Sequence, residues 1–264
     1  IMKIVKSLFL ILGVLIASLF YSCKKTSTKP VPPASTKPPT IATPLPVNVV
    51  AYWPLDDNKA NDISRYGNNG VKFNTSGAVD RFGNANGAMY FDGATSYIEV
   101  HDSMLLRLGD SDFTLNAWVK MDSYGATFES AILSKRIGGY SDGWLWALNG
   151  KEATPVGVEY FGVGGGFVVS SGTRILSTGI WYMVTCVYSL SDETISMYTN
   201  GAFDHNIHLI PSLSNTNTAN LFIGKDEIGP SNDEYYFHGT MDDISIYNSA
   251  LSADDITQLY NAKY

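Results

Sequence analysis

The feature that most restricts the fold of this chain is its rhythm of short apolar runs. Segments such as Val49–Leu55, Ala88–Phe91, Tyr97–Val100, Phe113–Met121, Trp144–Leu148 and Trp181–Tyr188 are rich in aromatic and β-branched residues. Ala131–Ser134, Val156–Val163, Thr194–Tyr198, Leu221–Ile223 and Met241–Tyr247 are of the same kind, and Gly, Asn, Asp and Ser separate them. Such side chains suit the pleated surface of a sheet, and the breakers between them mark turns. Asn200-Gly201, after Ile195–Tyr198, is a two-residue hairpin signal, because a type I′ turn needs positive φ at both central positions. No amphipathic helical pattern precedes Ser252, which excludes a βαβ architecture. The expected fold is all-β, an antiparallel two-sheet sandwich.

The closing segment carries the most specific local pattern. Ile244 and Ile246 alternate with Ser245 and Tyr247, the period of a strand with one face toward a core. Adjacent carboxylates, Asp242 and Asp243, open that strand, and simple alternation sends one to each face. Ser252 then stands as an N-cap with Asp255 in the capping-box position, and Ile256, Leu259 and Tyr260 share one helical face. A short C-terminal helix is expected.

Charge and composition divide the chain into three parts. Residues 1–47 hold six lysines and no acid, so residues 48–264 carry 12 basic and all 25 acidic residues, a net charge of −13. Such a surface repels nucleic acid and anionic lipid, and no nucleic-acid partner is expected. Lys3 and Lys6 precede an apolar run from Leu8 to Phe20, too short to span a bilayer, that ends at Ser22-Cys23. Residues 1–23 therefore read as a secretory signal segment. Ser22-Cys23-Lys24-Lys25 resembles the relaxed lipobox of bacterial lipoproteins, which implies that Cys23 is acylated and that the chain is anchored in a bacterial outer membrane through this lipid alone. Replacing Cys23 with Ser is then expected to release the chain to the soluble fraction or leave it unprocessed, and unchanged detergent-requiring membrane association would contradict acylation. Residues 24–47 hold seven of the eleven prolines among Lys, Thr and Ser, the composition of a semi-extended tether. The remaining cysteine, Cys186, lies in an apolar run and reads as a buried free thiol.

Within 48–264 the motifs follow one another in a recognisable order. Ala51–Asp56 and Asn61–Gly70 come first, then Arg81-Phe-Gly-Asn-Ala-Asn-Gly-Ala-Met-Tyr-Phe-Asp-Gly93, Tyr97–Val100 and Phe113–Val119. Trp181-Tyr-Met-Val-Thr185, Ile195–Gly201 and Gly239-Thr-Met-Asp-Asp-Ile-Ser-Ile-Tyr247 complete the series. This series resembles the laminin-G-like, concanavalin A-like jelly-roll domains. The resemblance implies a jelly-roll sandwich and a module that serves enzymes, lectins and adhesion proteins alike. Tyr182 and Ser245 stand where that family more often has His and Arg.

Catalytic patterns are missing. Glucanases on this scaffold carry Glu-x-Asp-x-x-Glu along one strand, and no such spacing occurs here. Gly139-Tyr-Ser-Asp-Gly143 has the Gly-x-Ser-x-Gly spacing but leads into the apolar run Trp144–Leu148 and not into the helix a nucleophile elbow needs, and there is no His-Glu-x-x-His. His205 and His208 read as solvated loop residues. No enzymatic activity is expected. An acidic domain rich in oxygen donors suits calcium, but Asp56–Asp62 fails as an EF-hand because Ala60 and Asn61 stand where a ligand and the turn glycine belong. The family resemblance implies instead a structural Ca2+ held by Asp242 with carbonyls near Asp56 and Gly93 and the Asp62 carboxylate. For a glycan, the expected contacts are Trp144 on the sheet and Tyr235 and Tyr236 in a polar-aromatic loop, with Trp53, Trp118 and Trp181 in the core. The function so read is non-catalytic recognition of carbohydrate at the cell envelope. A module binding another surface protein, or a glycan-active enzyme without recognisable motifs, is the alternative.

Overall fold

The computed structural model describes residues 48–109, 111–126, 128–137, 142–163, 168–208, 217–227 and 234–262. Cys23 and the tether lie outside these residues. In chain order the strands are β1 (Val49–Trp53), β2 (Gly70–Phe73), β3 (Ser76–Ala78), β4 (Ala88–Asp92), β5 (Tyr97–Val100), β6 (Phe113–Met121), β7 (Glu129–Ile137) and β8 (Asp142–Asn149). They continue with β9 (Val158–Val163), β10 (Val168–Ile175), β11 (Tyr182–Ser189), β12 (Thr194–Thr199), β13 (Ala202–His208), β14 (Leu221–Ile223), β15 (Lys225–Glu227), β16 (Glu234–Tyr236) and β17 (His238–Tyr247). Helix α1 (Ala253–Asn261) follows.

One sheet runs β13-β12-β11-β6-β17-β4-β3 with β1 also paired to β17, and a second runs β10-β9-β8-β7-β14-β5-β2. Strands β15 and β16 form a separate ribbon. The pairings are antiparallel, as expected for the jelly-roll sandwich. β17 is the hub of the first sheet. Along one edge it pairs with β6 from Gly239↔Met121 to Tyr247↔Thr114. Its other edge is shared, with β4 on the first half (His238↔Asp92) and β1 on the second (Trp53↔Ile244). First and last strands are thus neighbours.

Trp53, Phe91, Phe113, Trp144, Trp146, Phe161, Ile244 and Ile246 pack in the core between the sheets, with the free thiol of Cys186. A second cluster covers the opposite face of the first sheet, where Ile256 and Leu259 of α1 meet Trp118, Met183, Val187 and Tyr247. The helix starts as expected. Ser252 Oγ accepts from Asp255 N at 3.2 Å, and Asp255 Oδ2 accepts from Ser252 N at 3.0 Å. The Asn200-Gly201 hairpin also holds, with φ of 54° and 78° joining β12 to β13. His205 and His208 lie on β13, an edge strand, and not in a loop. β13 is mostly polar, and an edge strand open to water needs no apolar alternation to announce it.

Candidate functional site

On the outer face of the first sheet, beside the end of α1, lies a groove of about 380 Å³ lined by Arg81, Phe82, Trp118, Trp181, Tyr260, Asn261 and Ala262. Each wall comes from a different element. β6 supplies Trp118, the residue before β11 supplies Trp181, the β3–β4 connection supplies Arg81 and Phe82, and α1 supplies Tyr260 and Asn261. The Trp118 and Tyr260 rings stack at 5.6 Å with an interplanar angle of 19°. Phe82 is 46 % exposed and Tyr260 36 %, whereas Trp118 forms the 9 % exposed floor. Lys120 Nζ sits 5.2 Å from the Trp181 ring centre. Tyr260 can lie this low because Gly201 is beneath it. A Cβ at Gly201 would come within 2.9 Å of Tyr260 Cβ, and φ there is +78°.

Arg81 joins this groove to the acidic pair. Its Cζ lies 4.4 Å from the Phe82 ring centre and 4.5 Å from that of Trp118. Nη1 donates to Asp242 Oδ2 at 2.6 Å, and Nη2 stands 2.7 Å from Asp243 Oδ2. Both carboxylates face the same cation because β17 carries a β-bulge. The register with β6 shifts between Asp242 and Ser245, and Asp243 takes φ of +46°. The bulge overrides the alternation that would have sent one acid to each face. Tyr52 Oη completes the set, donating to Asp243 Oδ1 at 2.5 Å. Burial lifts the Asp242 carboxyl well above its ordinary range, helped by Asp243 and opposed by Arg81. Burial likewise raises Asp243, with Arg81 and the Tyr52 hydroxyl pulling it back.

The residues expected to hold calcium have separate occupations. Asp62 accepts from Tyr52 N, Ser64 N, Ser64 Oγ and Asn68 N at 2.7–2.9 Å and so closes the 62–68 turn. Gly93 turns β4 into β5 with φ of +74°, and a Cβ there would lie 2.6 Å from His238 Cβ. Asp56 sits in the short 3₁₀ turn after β1, where its carbonyl accepts from Lys59 N at 3.0 Å and its charge acts on Asp242 and Asp243. Among the described residues no three His, Cys, Asp or Glu side chains gather as a metal group. Calcium needs six to eight oxygens, and a guanidinium stands at Asp242 instead. Arranged in this way, these residues do not fit the ion.

The aromatic expectations are redistributed. Trp144 is 2 % exposed in the core, its ring stacked 6.2 Å from Phe161, so it offers no face to a sugar. Trp118 and Trp181, expected in the core, are groove residues. β6 and β8 are covered on both faces, so neither strand shows an alternation that tells inward from outward. Tyr235 and Tyr236 lie on β16 rather than in a loop, Tyr235 7 % exposed and Tyr236 half-buried with Lys225 Nζ 5.8 Å from its ring.

Two buried acids have no counterpart in the sequence reading. Glu129 of β7 accepts from Tyr160 Oη and from Arg136 Nη2, and Arg136 also grips Asp226 of β15. Burial, then the charge of Asp226, pushes Glu129 up to about 8 against the pull of Arg136. Side-chain exposures of 8 % and 0 % at Glu129 and Asp226 mark an internal ion network, not a pair open to substrate.

A family model described as the concanavalin A-like lectin/glucanases superfamily matches residues 92–257. A search of the curated proteins returned no significant sequence match. Among solved structures, domain 4 of AbnA, a GH43 extracellular arabinanase from Geobacillus stearothermophilus in complex with arabinotriose, superposes with a TM-score of 0.62 at 18 % identity, covering 82 % of this chain and 98 % of that one. The binding domain of Paraclostridial Mosquitocidal Protein 1 superposes with a TM-score of 0.64 at 17 % identity, over 81 % of this chain and 52 % of that one. A structure of botulinum neurotoxin type C, whose cell entry depends on interaction with two ganglioside molecules, gives a TM-score of 0.58 at 14 % identity over 82 % of this chain and 52 % of that one. The chain therefore spans about half the length of these toxin domains. At such identities the likeness is one of fold.

Proposed function

The chain belongs to the concanavalin A-like lectin/glucanases superfamily, and on that premise we propose that its sandwich is a non-catalytic module that binds carbohydrate in the aromatic groove. The observation that carries this reading is the convergence of Phe82, Trp118, Trp181 and Tyr260 with the amide of Asn261 on one open groove. Sugar rings present flat C–H faces that pack on aromatic rings, while hydroxyls seek amide and cationic donors. A volume of about 380 Å³ falls near the lower end of the roughly 300–1,000 Å³ usual for small-ligand sites, enough for a short stretch of a glycan chain. The ligand class is an uncharged oligosaccharide. The Arg81 charge is already engaged by two carboxylates, and a domain of net charge −13 disfavours an anionic chain. The complex of a structurally similar arabinanase domain with arabinotriose supports the choice. In the same proposal Cys23 is acylated and residues 24–47 tether the module to a bacterial envelope.

A glycan array probed with the purified full chain tests the proposal. Selective binding of neutral glycans is expected, reduced tenfold or more in Trp181→Ala and Tyr260→Ala, since about 1.4 kcal/mol of lost stacking is a factor of ten. Binding that survives both substitutions would remove the groove as the site. No glycan binding beside capture of a purified surface protein would favour the adhesion reading.

A further inference from the structure

We infer that Arg81 is the resident cation of this domain: its guanidinium bridges Asp242 and Asp243 where a divalent ion would otherwise tie the chain ends, so fold and groove are kept without metal. Four observations converge on it. The β3–β4 connection aims the side chain. Asp80 Oδ1 accepts from Phe82 N and Asn84 N, both at 2.8 Å, and Oδ2 accepts from Asn84 Nδ2 at 2.8 Å. Gly87 lets that loop close, since a Cβ there would meet Asp80 Oδ2 at 2.6 Å. The β17 bulge then turns two consecutive carboxylates toward one point. Nη1 of the guanidinium makes a charge-assisted hydrogen bond of 2.6 Å to Asp242, and Nη2 stands 2.7 Å from Asp243 as an ion pair. Finally Tyr52 of β1 bonds Asp243. One cation thereby links β1, β17 and the β3–β4 connection.

The guanidinium also does what a spherical ion cannot. Its Cζ lies over the rings of Phe82 and Trp118, so the group that pairs with the acids also holds a wall and the floor of the groove. Lysine would keep the charge but lose the fork and the stacking. With 6 % of the Arg81 side chain exposed, and 4 % and 9 % of the two carboxylates, the cluster is shielded from salt and water. Removing the cation alone would leave two buried acids facing each other, the costly way to break such a site. This inference stands whatever ligand the groove takes.

Thermal melting of the purified full chain in excess calcium and in excess chelator, with elemental analysis, tests it. The wild type is expected to melt at the same temperature in both and to carry no stoichiometric divalent metal. Arg81→Met should lower the midpoint by several degrees, and Arg81→Lys by less. Adding Asp242→Asn and Asp243→Asn to Arg81→Met should recover part of the loss, because the stranded acids are gone. A wild-type midpoint that drops in chelator, together with one bound calcium per chain, would overturn the inference. A triple variant no more stable than Arg81→Met would also overturn it, by showing that Arg81 acts through packing and not as the cation. If Arg81→Met fails to fold, the wild-type calcium comparison and Arg81→Lys still decide.

Discussion

Glu159 shows at the scale of one residue how this core stores a pH dependence. It points between the sheets, where Trp146 Nε1 donates to Oε1 at 2.7 Å and Oε2 has no partner among the described residues. Burial lifts its pKa well above the ordinary value, the Trp146 hydrogen bond opposing and the charge of Asp204 adding. Glu129, at about 8, behaves alike. Both hold a proton when folded that the unfolded chain releases above its ordinary value of 4.5. The stability they contribute is full below that value and is lost as pH rises, for Glu129 through about 8. Asp92, Asp102 and Asp204 act in the opposite sense, being lowered by hydrogen bonds or ion pairs, and their contribution is lost as pH falls below the ordinary 3.8. The chain is expected to be most stable in mildly acid solution and to melt lower at pH 8 than at pH 5. Glu159→Gln should narrow that gap. An unchanged gap would show that Glu159 does not carry it.

Single elements explain what the sequence made legible and what it hid. Capping box and hairpin were readable because each is a local bargain between neighbours: Ser252 with Asp255, Asn200 with Gly201. The β17 bulge was not. Asp242-Asp243 reads as simple alternation until Arg81, 161 residues away from Asp242, pulls both acids to one side. Trp118 and Trp144 sit in equally apolar runs, and only the sheet order sends one outward and the other into the core. β3, and the extent of β13 beyond its hairpin turn, stay hidden because polar edge strands lack a hydrophobic signature. Helix α1 offers a test at this scale, since it carries both the cap and Tyr260. Ser252→Ala should cost about 1 kcal/mol, lowering the melting temperature by roughly 2–4 °C, and should also weaken glycan binding by loosening one groove wall. Ser252→Thr should restore most of both. Loss of stability with unaltered glycan affinity would detach α1 from the site.

For the whole molecule, sheet order and the proposed recognition surface are parts of one arrangement. β17 lies between β6 on one side and β4 and β1 on the other, which brings the two chain ends of the domain together. The same strand supplies the acids that anchor Arg81, and Arg81 supports the aromatic floor. The net charge of −13 over residues 48–264 disfavours anionic surfaces as partners. The groove on the outer face of the first sheet is then the surface on which the account rests. Its most direct test is a titration of the full chain with the neutral oligosaccharide that scores highest on the array, following tryptophan emission. The wild type should show a saturable change that Trp181→Ala abolishes along with binding, while Tyr236→Ala, on the β15–β16 ribbon, leaves the affinity as it was. Binding kept in Trp181→Ala and lost in Tyr236→Ala would place recognition on the ribbon and contradict the groove.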